Sequence, residues 1–74
     1  MKRRTMTLGE LRTDRQVSQR ALAVLLDVRQ PSISRFEARE IDTVAVGSLR
    51  RYVEALGGRL EIIARFGGER VMIQ

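Results

Sequence analysis

The sequence predicts a mainly helical domain, with four to five short helices followed by a short C-terminal β-strand or hairpin. Three observations predict it. Apolar residues recur at helical spacing up to residue 56, as in Leu22, Ala23 and Leu26. The period then changes to alternation in "RLEIIARF" at residues 59–66. The helical stretches are short and punctuated by capping residues, and 74 residues suffice for one domain only. Residues 1–58 form the helical part, and residues 59–74 the terminal strand segment of the same domain.

Thr7 followed by Glu10 fits a capping box. The helix it opens runs to about Arg15, with Leu8 and Leu11 on one face. Ser18 is a good N-cap for the second helix, which stops at Asp27. Asp tolerates the left-handed C-cap conformation that glycine adopts more easily, at a small local cost. The third helix starts near Gln30, because Pro31 is tolerated in a first turn. Ile33 and Phe36 point inward, and the helix ends near Glu37 or Ala38. "AREIDTVAV" reads as a loop. A fourth helix, from about Ser48 to Leu56, buries Leu49, Tyr52, Val53 and Leu56, and Gly57-Gly58 stops it. Gly67-Gly68 then reads as a turn and "ERVMI" as a second short strand.

Composition narrows the chemistry. There is no cysteine and no histidine, which removes disulfides, thiolate metal sites, and the commonest general base and transition-metal ligand. No Gly-rich loop cradles a phosphate, so an enzyme is disfavoured and no cofactor is expected. Net charge is +5, and residues 1–20 hold six basic and two acidic residues. Such an excess suits a polyanion, although many small soluble domains are simply basic. The arm Lys2-Arg3-Arg4 reads as disordered when free, touching phosphates or merely solvated. No apolar run is long enough for a membrane span, and the N-terminus lacks the apolar core of a signal peptide. The expectation is a cytoplasmic protein.

The stretch "SQRALAVLLDVRQPSISRFE" places two short helices about three residues apart, the spacing of a helix-turn-helix. In that motif the second helix lies in the major groove of DNA. Ile33 and Phe36 would hold it on the domain, while its outer face stays polar to meet bases and phosphates. Gln30 and Arg35 are long enough to pair with adenine and guanine edges respectively. Ser32 and Ser34 suit close approach or phosphate contact better than base reading. Gln19, at the start of the second helix, could reach a phosphate. Arg29 and Arg39 complete the expected DNA-contacting set. Each of these residues has a plainer reading as part of a solvated helix face.

In combination these residues resemble the phage-repressor-like (XRE, Cro/C1-type) helix-turn-helix family. The matches are Leu11-Arg12, Gln19, Leu22-Ala23, Val28, Ile33-Ser34 and Glu37, within about residues 8–40. The tail "YVEALGGRLEIIARF" is similar to that of small HigA-type and HipB-type antitoxins. The resemblance implies a repressor-like fold and a dimeric, sequence-specific DNA-binding repressor, the antitoxin of a toxin–antitoxin pair that represses its own operon, with a possible cognate toxin as partner. It also implies a partly buried ion pair between Arg12 and Glu37, bracing the first helix to the third. Two positions depart from the pattern. Asp27 replaces the usual corner glycine, and Arg29 replaces the usual Ser or Thr N-cap, whose loss costs roughly 1 kcal/mol. Two other readings stay open: an inhibitor module whose main task is binding a toxin, and a stand-alone regulator. Val24 and Leu25 stand where the family usually has polar residues. They read either as extra core against the C-terminal strands or as a patch for another protein.

The strand segment Leu60, Glu61, Ile62, Ile63, Ala64, Arg65 and Phe66 is expected at a dimer interface. A two-residue hairpin at Gly67-Gly68 would set Arg65 against Arg70, an unfavourable pair. Pairing with a second copy, centred on Ile63, would set Glu61 against Arg65 instead. A loop longer than two residues would let both pairings coexist.

Overall fold

The computed structural model describes residues 4–74. Lys2 and Arg3 of the basic arm lie outside the described residues. The elements run α1 (Leu8–Asp14), α2 (Gln19–Leu26), α3 (Gln30–Ala38), a single 3-10 turn (Ile41–Thr43), α4 (Val46–Ala55), β1 (Ile62–Phe66) and β2 (Glu69–Ile73).

Each boundary has a local cause. The capping box of α1 is complete: the Glu10 amide donates to Thr7 Oγ1 at 3.2 Å, and the Thr7 amide to Glu10 Oε1 at 2.9 Å. The helix stops at Asp14, with Arg15 as C-cap and Gln16 left-handed at φ 62°. Ser18 Oγ accepts the Ala21 amide at 3.0 Å and starts α2. Asp27 ends it in the left-handed conformation, φ 56° and ψ 47°. Arg29 precedes α3 without any side-chain cap, and Pro31 sits in the first turn. Helix α4 begins two residues before Ser48, because the Leu49 amide already bonds the Ala45 carbonyl at 3.0 Å.

The core is small. Leu22, Ala23, Ile33 and Tyr52 are buried, with Leu8, Val17, Leu26, Phe36, Val53, Ala55 and Leu56 packed around them. Phe36 and Tyr52 meet with ring centroids 5.4 Å apart and planes tilted by 30°. This cluster packs the apolar face of α3 on α2 and α4, which leaves the opposite face free.

The hairpin is a two-residue one. Its register pairs Ile62 with Ile73, Ile63 with Met72, Ala64 with Val71, Arg65 with Arg70, and Phe66 with Glu69. The hairpin thus forms at Gly67-Gly68 with Arg65 facing Arg70, the pairing that like charge disfavours, and no longer loop relieves it. Both are exposed, so water screens them. Against that small repulsion stand three apolar cross-strand pairs and a turn that glycine makes without strain. Gly67 adopts φ +60° and Gly68 does not, the φ pattern of a type II′ turn. The first strand is also shorter than "RLEIIARF" suggested. Leu60 and Glu61 belong to the segment leaving α4, where Leu60 lines one groove with Val53 and Leu56. Ile62 and Ala64 are half-buried, Ile63 and Arg65 exposed, and Phe66 is 67% exposed at the tip.

Candidate nucleic-acid interface

Glu37 is the node on which the candidate surface is built. It stands on the inner side of α3, one residue after Phe36. Arg12 of α1 donates to it through Nε (2.6 Å to Oε2) and Nη2 (3.2 Å to Oε1). The third guanidinium nitrogen, Nη1, donates to the Val17 carbonyl at 2.9 Å. The Tyr52 hydroxyl of α4 lies 2.6 Å from Glu37 Oε2 and 2.9 Å from the Leu8 carbonyl. Gln19 of α2 donates from Nε2 to Oε1 at 3.0 Å. One carboxylate thus ties all four helices.

The close packing has a sequence cause at Gly9. A Cβ there would stand 3.3 Å from Glu37 Oε1, a tight approach that the carboxylate would have to yield to by a few tenths of an ångström. Burial pushes the Glu37 carboxyl up, but the bonds from Arg12, Tyr52 and Gln19 and the charge of Arg12 outweigh it, leaving the pKa below the usual carboxylate value. Burial, with the neighbouring carboxylate, pushes the Tyr52 phenol up. The Arg12 guanidinium is raised by its bond to Glu37. Tyr52 carried no polar role in the sequence reading. Its signal was there: a buried tyrosine hydroxyl needs a hydrogen-bond partner.

From this node the network reaches the surface. Gln30 Nε2 donates to Gln19 Oε1 at 3.4 Å. Gln19, Gln30, Pro31 and Ser34 line one shallow depression at the start of α3. Arg29, Gln30, Ser34 and Arg35 are exposed on that helix. Ser32 lies on the other flank, half-buried in a groove with Leu26, Val28 and Phe36, and Arg35 Nη2 stands 3.5 Å from its hydroxyl. Arg39 sits past the end of α3 and donates to the Thr43 carbonyl. Arg4, the described end of the basic arm, pairs with Asp14 at 2.9 Å. The structure therefore gathers Gln19, Gln30 and Ser34, sets Ser32 with Arg35 on the other flank of α3, and leaves Arg39 apart.

Two further surfaces matter. Val24 and Leu25 are 76% and 61% exposed on the outside of α2. The expectation that they add core against the strands is corrected, because the inner stripe of α2 is filled by Leu22, Ala23 and Leu26. The hairpin leaves Ile63, Phe66, Val71, Met72 and Ile73 exposed. Among the described residues no helix is long and apolar enough to cross a membrane, and no cluster of acidic side chains could hold a metal ion.

Comparison with known proteins gives three matches of different kinds. Residues 3–65 match the helix-turn-helix domain family HTH_37. Two Mycobacterium tuberculosis proteins named as antitoxins are similar in sequence: HigA2, 41% identical over 66 residues, and HigA3, 40% identical over 50 residues. Those alignments cover 89% and 68% of this chain, but it spans only 65% and 46% of those relatives. Two solved structures are similar throughout. One, described as "Induced DNA bending by unique dimerization of HigA antitoxin", superposes with a TM-score of 0.87 at 32% identity, covering 99% of this chain and 97% of that one. The other, "DNA bound antitoxin HigA3", gives 0.85 at 33% identity, covering 97% and 94%.

Proposed function

This chain belongs to the helix-turn-helix domain family HTH_37 and is homologous to HigA antitoxins, and from that premise we propose that it is a sequence-specific DNA-binding repressor acting as a homodimer. The observation that carries the proposal is the division of α3. One side is locked to the domain by Ile33, Phe36 and Glu37, and the other presents Arg29, Gln30, Ser34 and Arg35 to solvent. A helix held this firmly, with long polar side chains outward, suits entry into a major groove. Gln30 and Arg35 then read base edges, Gln19 braces the Gln30 amide, and Arg29 and the serines hold phosphates. Repression is by occupancy. The two α3 helices of a dimer enter successive major grooves about 34–36 Å apart and exclude other proteins from that DNA.

The homodimer forms, in this proposal, through the hairpin. An isolated two-stranded hairpin is marginal, and this one exposes apolar side chains on both strands. The edge of β1 away from β2 is open. A second copy paired antiparallel there, centred on Ile63, closes that edge and sets Glu61 against the partner's Arg65. Similar proteins are described as dimerising and as DNA-bound, which supports both halves of the reading.

The test is selection from a randomised double-stranded DNA pool, followed by titration of the enriched duplex. One sequence with two-fold symmetry should emerge, and Arg35→Ala should relax one position per half-site at a cost of roughly 1–3 kcal/mol. Absence of any enriched sequence would refute the proposal. We further propose that the chain is the antitoxin of a toxin–antitoxin pair in the cytoplasm. The exposed Val24 and Leu25 favour a protein partner there, because a solvated helix face has no need of them. Capture of the product of a neighbouring gene by the wild type, but not by Val24→Lys with Leu25→Lys, would test it.

A further inference from the structure

The Glu37 carboxylate has a consequence for the reading surface beyond bracing the helices. An ionised carboxylate only accepts hydrogen bonds. Gln19 faces Glu37 Oε1 at 3.0 Å, so its amide must turn its NH2 group inward and its carbonyl outward. That carbonyl is also only an acceptor. Gln30, facing it at 3.4 Å, must therefore turn its own NH2 group toward it. Gln30 is left with its carbonyl oxygen and its second N–H for a ligand: one acceptor beside one donor. Adenine offers the complement in the major groove, a donor at N6 and an acceptor at N7, whereas guanine offers two acceptors.

We propose that Glu37 is a positioning residue for base recognition, which through Gln19 fixes the Gln30 amide so that it selects adenine over guanine at one base pair per half-site. The inference rests on the reading that α3 enters the major groove. Its chemistry makes a directional statement. In Glu37→Gln, the new side chain keeps its carbonyl on Arg12 Nε and Tyr52 and turns its NH2 group to Gln19, giving up the 3.2 Å bond from Arg12 Nη2. The Gln19 amide reverses, the Gln30 amide reverses after it, and only N–H donors face the DNA. The preference then swings from adenine toward guanine.

The test uses the full chain and a randomised double-stranded DNA pool. Gln30→Ala identifies the base pair concerned as the position whose preference it abolishes. Wild type, Glu37→Gln, Gln19→Ala and Tyr52→Phe are then titrated against the enriched duplex and its single A·T to G·C variant. The wild type should favour adenine by roughly tenfold or more, the size of a good bidentate contact. Glu37→Gln should reduce that ratio by about as much or invert it. Tyr52→Phe removes a different hydrogen bond from the same carboxylate; it should melt earlier yet keep the wild-type ratio. A folded Glu37→Gln with the wild-type ratio would overturn the relay, as would a Gln30→Ala that changes no position. Should Glu37→Gln fail to fold, Gln19→Ala on the helix surface decides. Loss of the adenine preference supports the relay, and an unchanged preference overturns it. A wild type that enriches no sequence would overturn the DNA-reading role itself, and the relay with it.

Discussion

Replacing Glu37 by alanine should be among the most damaging single changes in this domain, and its size can be worked from the contacts. The Glu37 side chain is 9% exposed and that of Arg12 is 14% exposed. The substitution leaves a largely buried guanidinium without its counter-ion, with only Nη1 still bonded, to the Val17 carbonyl. It also returns Gln19 to solvent and leaves the Tyr52 hydroxyl with the Leu8 carbonyl alone. Breaking a buried pair from one side typically costs 3–5 kcal/mol, and the partial access of water to Arg12 places this case near the low end, about 3 kcal/mol. The whole domain, at its size, is stable by roughly 4–11 kcal/mol. A loss of about 3 kcal/mol lowers the melting temperature by roughly 12–24 °C. Glu40→Ala is the matched control: Glu40 is exposed, and its carbonyl bond from Thr43 survives the change. It should shift stability by less than about 0.5 kcal/mol. Circular dichroism melts of both variants are the assay. The double variant Arg12→Ala with Glu37→Ala should lose less than the sum of the two singles, because it leaves no unpaired charge. Equal midpoints for Glu37→Ala and Glu40→Ala would refute the reasoning.

The pH dependence follows from the same cluster. Glu37 titrates below its ordinary value in the folded state, so its contribution is complete above the usual carboxylate range, near pH 4–5, and is lost as pH falls through the depressed folded pKa. Tyr52 is shifted the other way: its contribution is complete below the ordinary phenol value of about 10 and is lost as pH rises beyond it. Melts across pH should show both limbs, and Tyr52→Phe should lack the alkaline one. Arg29→Ala should weaken binding to all DNA sequences alike and flatten the salt dependence by about one unit; a change confined to one base position would contradict a phosphate role. Truncation before Arg59 should give a monomer or an unfolded chain with operator affinity greatly reduced, and sedimentation showing a stable dimer would place the interface elsewhere.

How far the sequence reaches can be judged element by element. Caps and turns are local chemistry, and they were legible: the Thr7–Glu10 box, the Ser18 cap, the left-handed Asp27 and the proline in the first turn of α3 each follow from one or two residues. The inward face of α3 was legible too, because a 3.6-residue period reports burial directly. The helix-turn-helix and its family followed from that pattern together with residues such as Leu22-Ala23 and Ile33-Ser34. What the sequence left open depends on which surfaces meet. Val24 and Leu25 are as apolar as the residues beside them, and only the packing of α2 shows that they face water. The Arg65–Arg70 pair argued against a tight hairpin, and the structure forms it because both side chains are solvated, a property of position rather than residue type. The meeting of Arg12, Gln19, Glu37 and Tyr52 joins residues up to 40 positions apart. No local rule sums to such a contact; it exists because the apolar stripes of four helices share one small core, and that core brings their polar edges together at a single carboxylate.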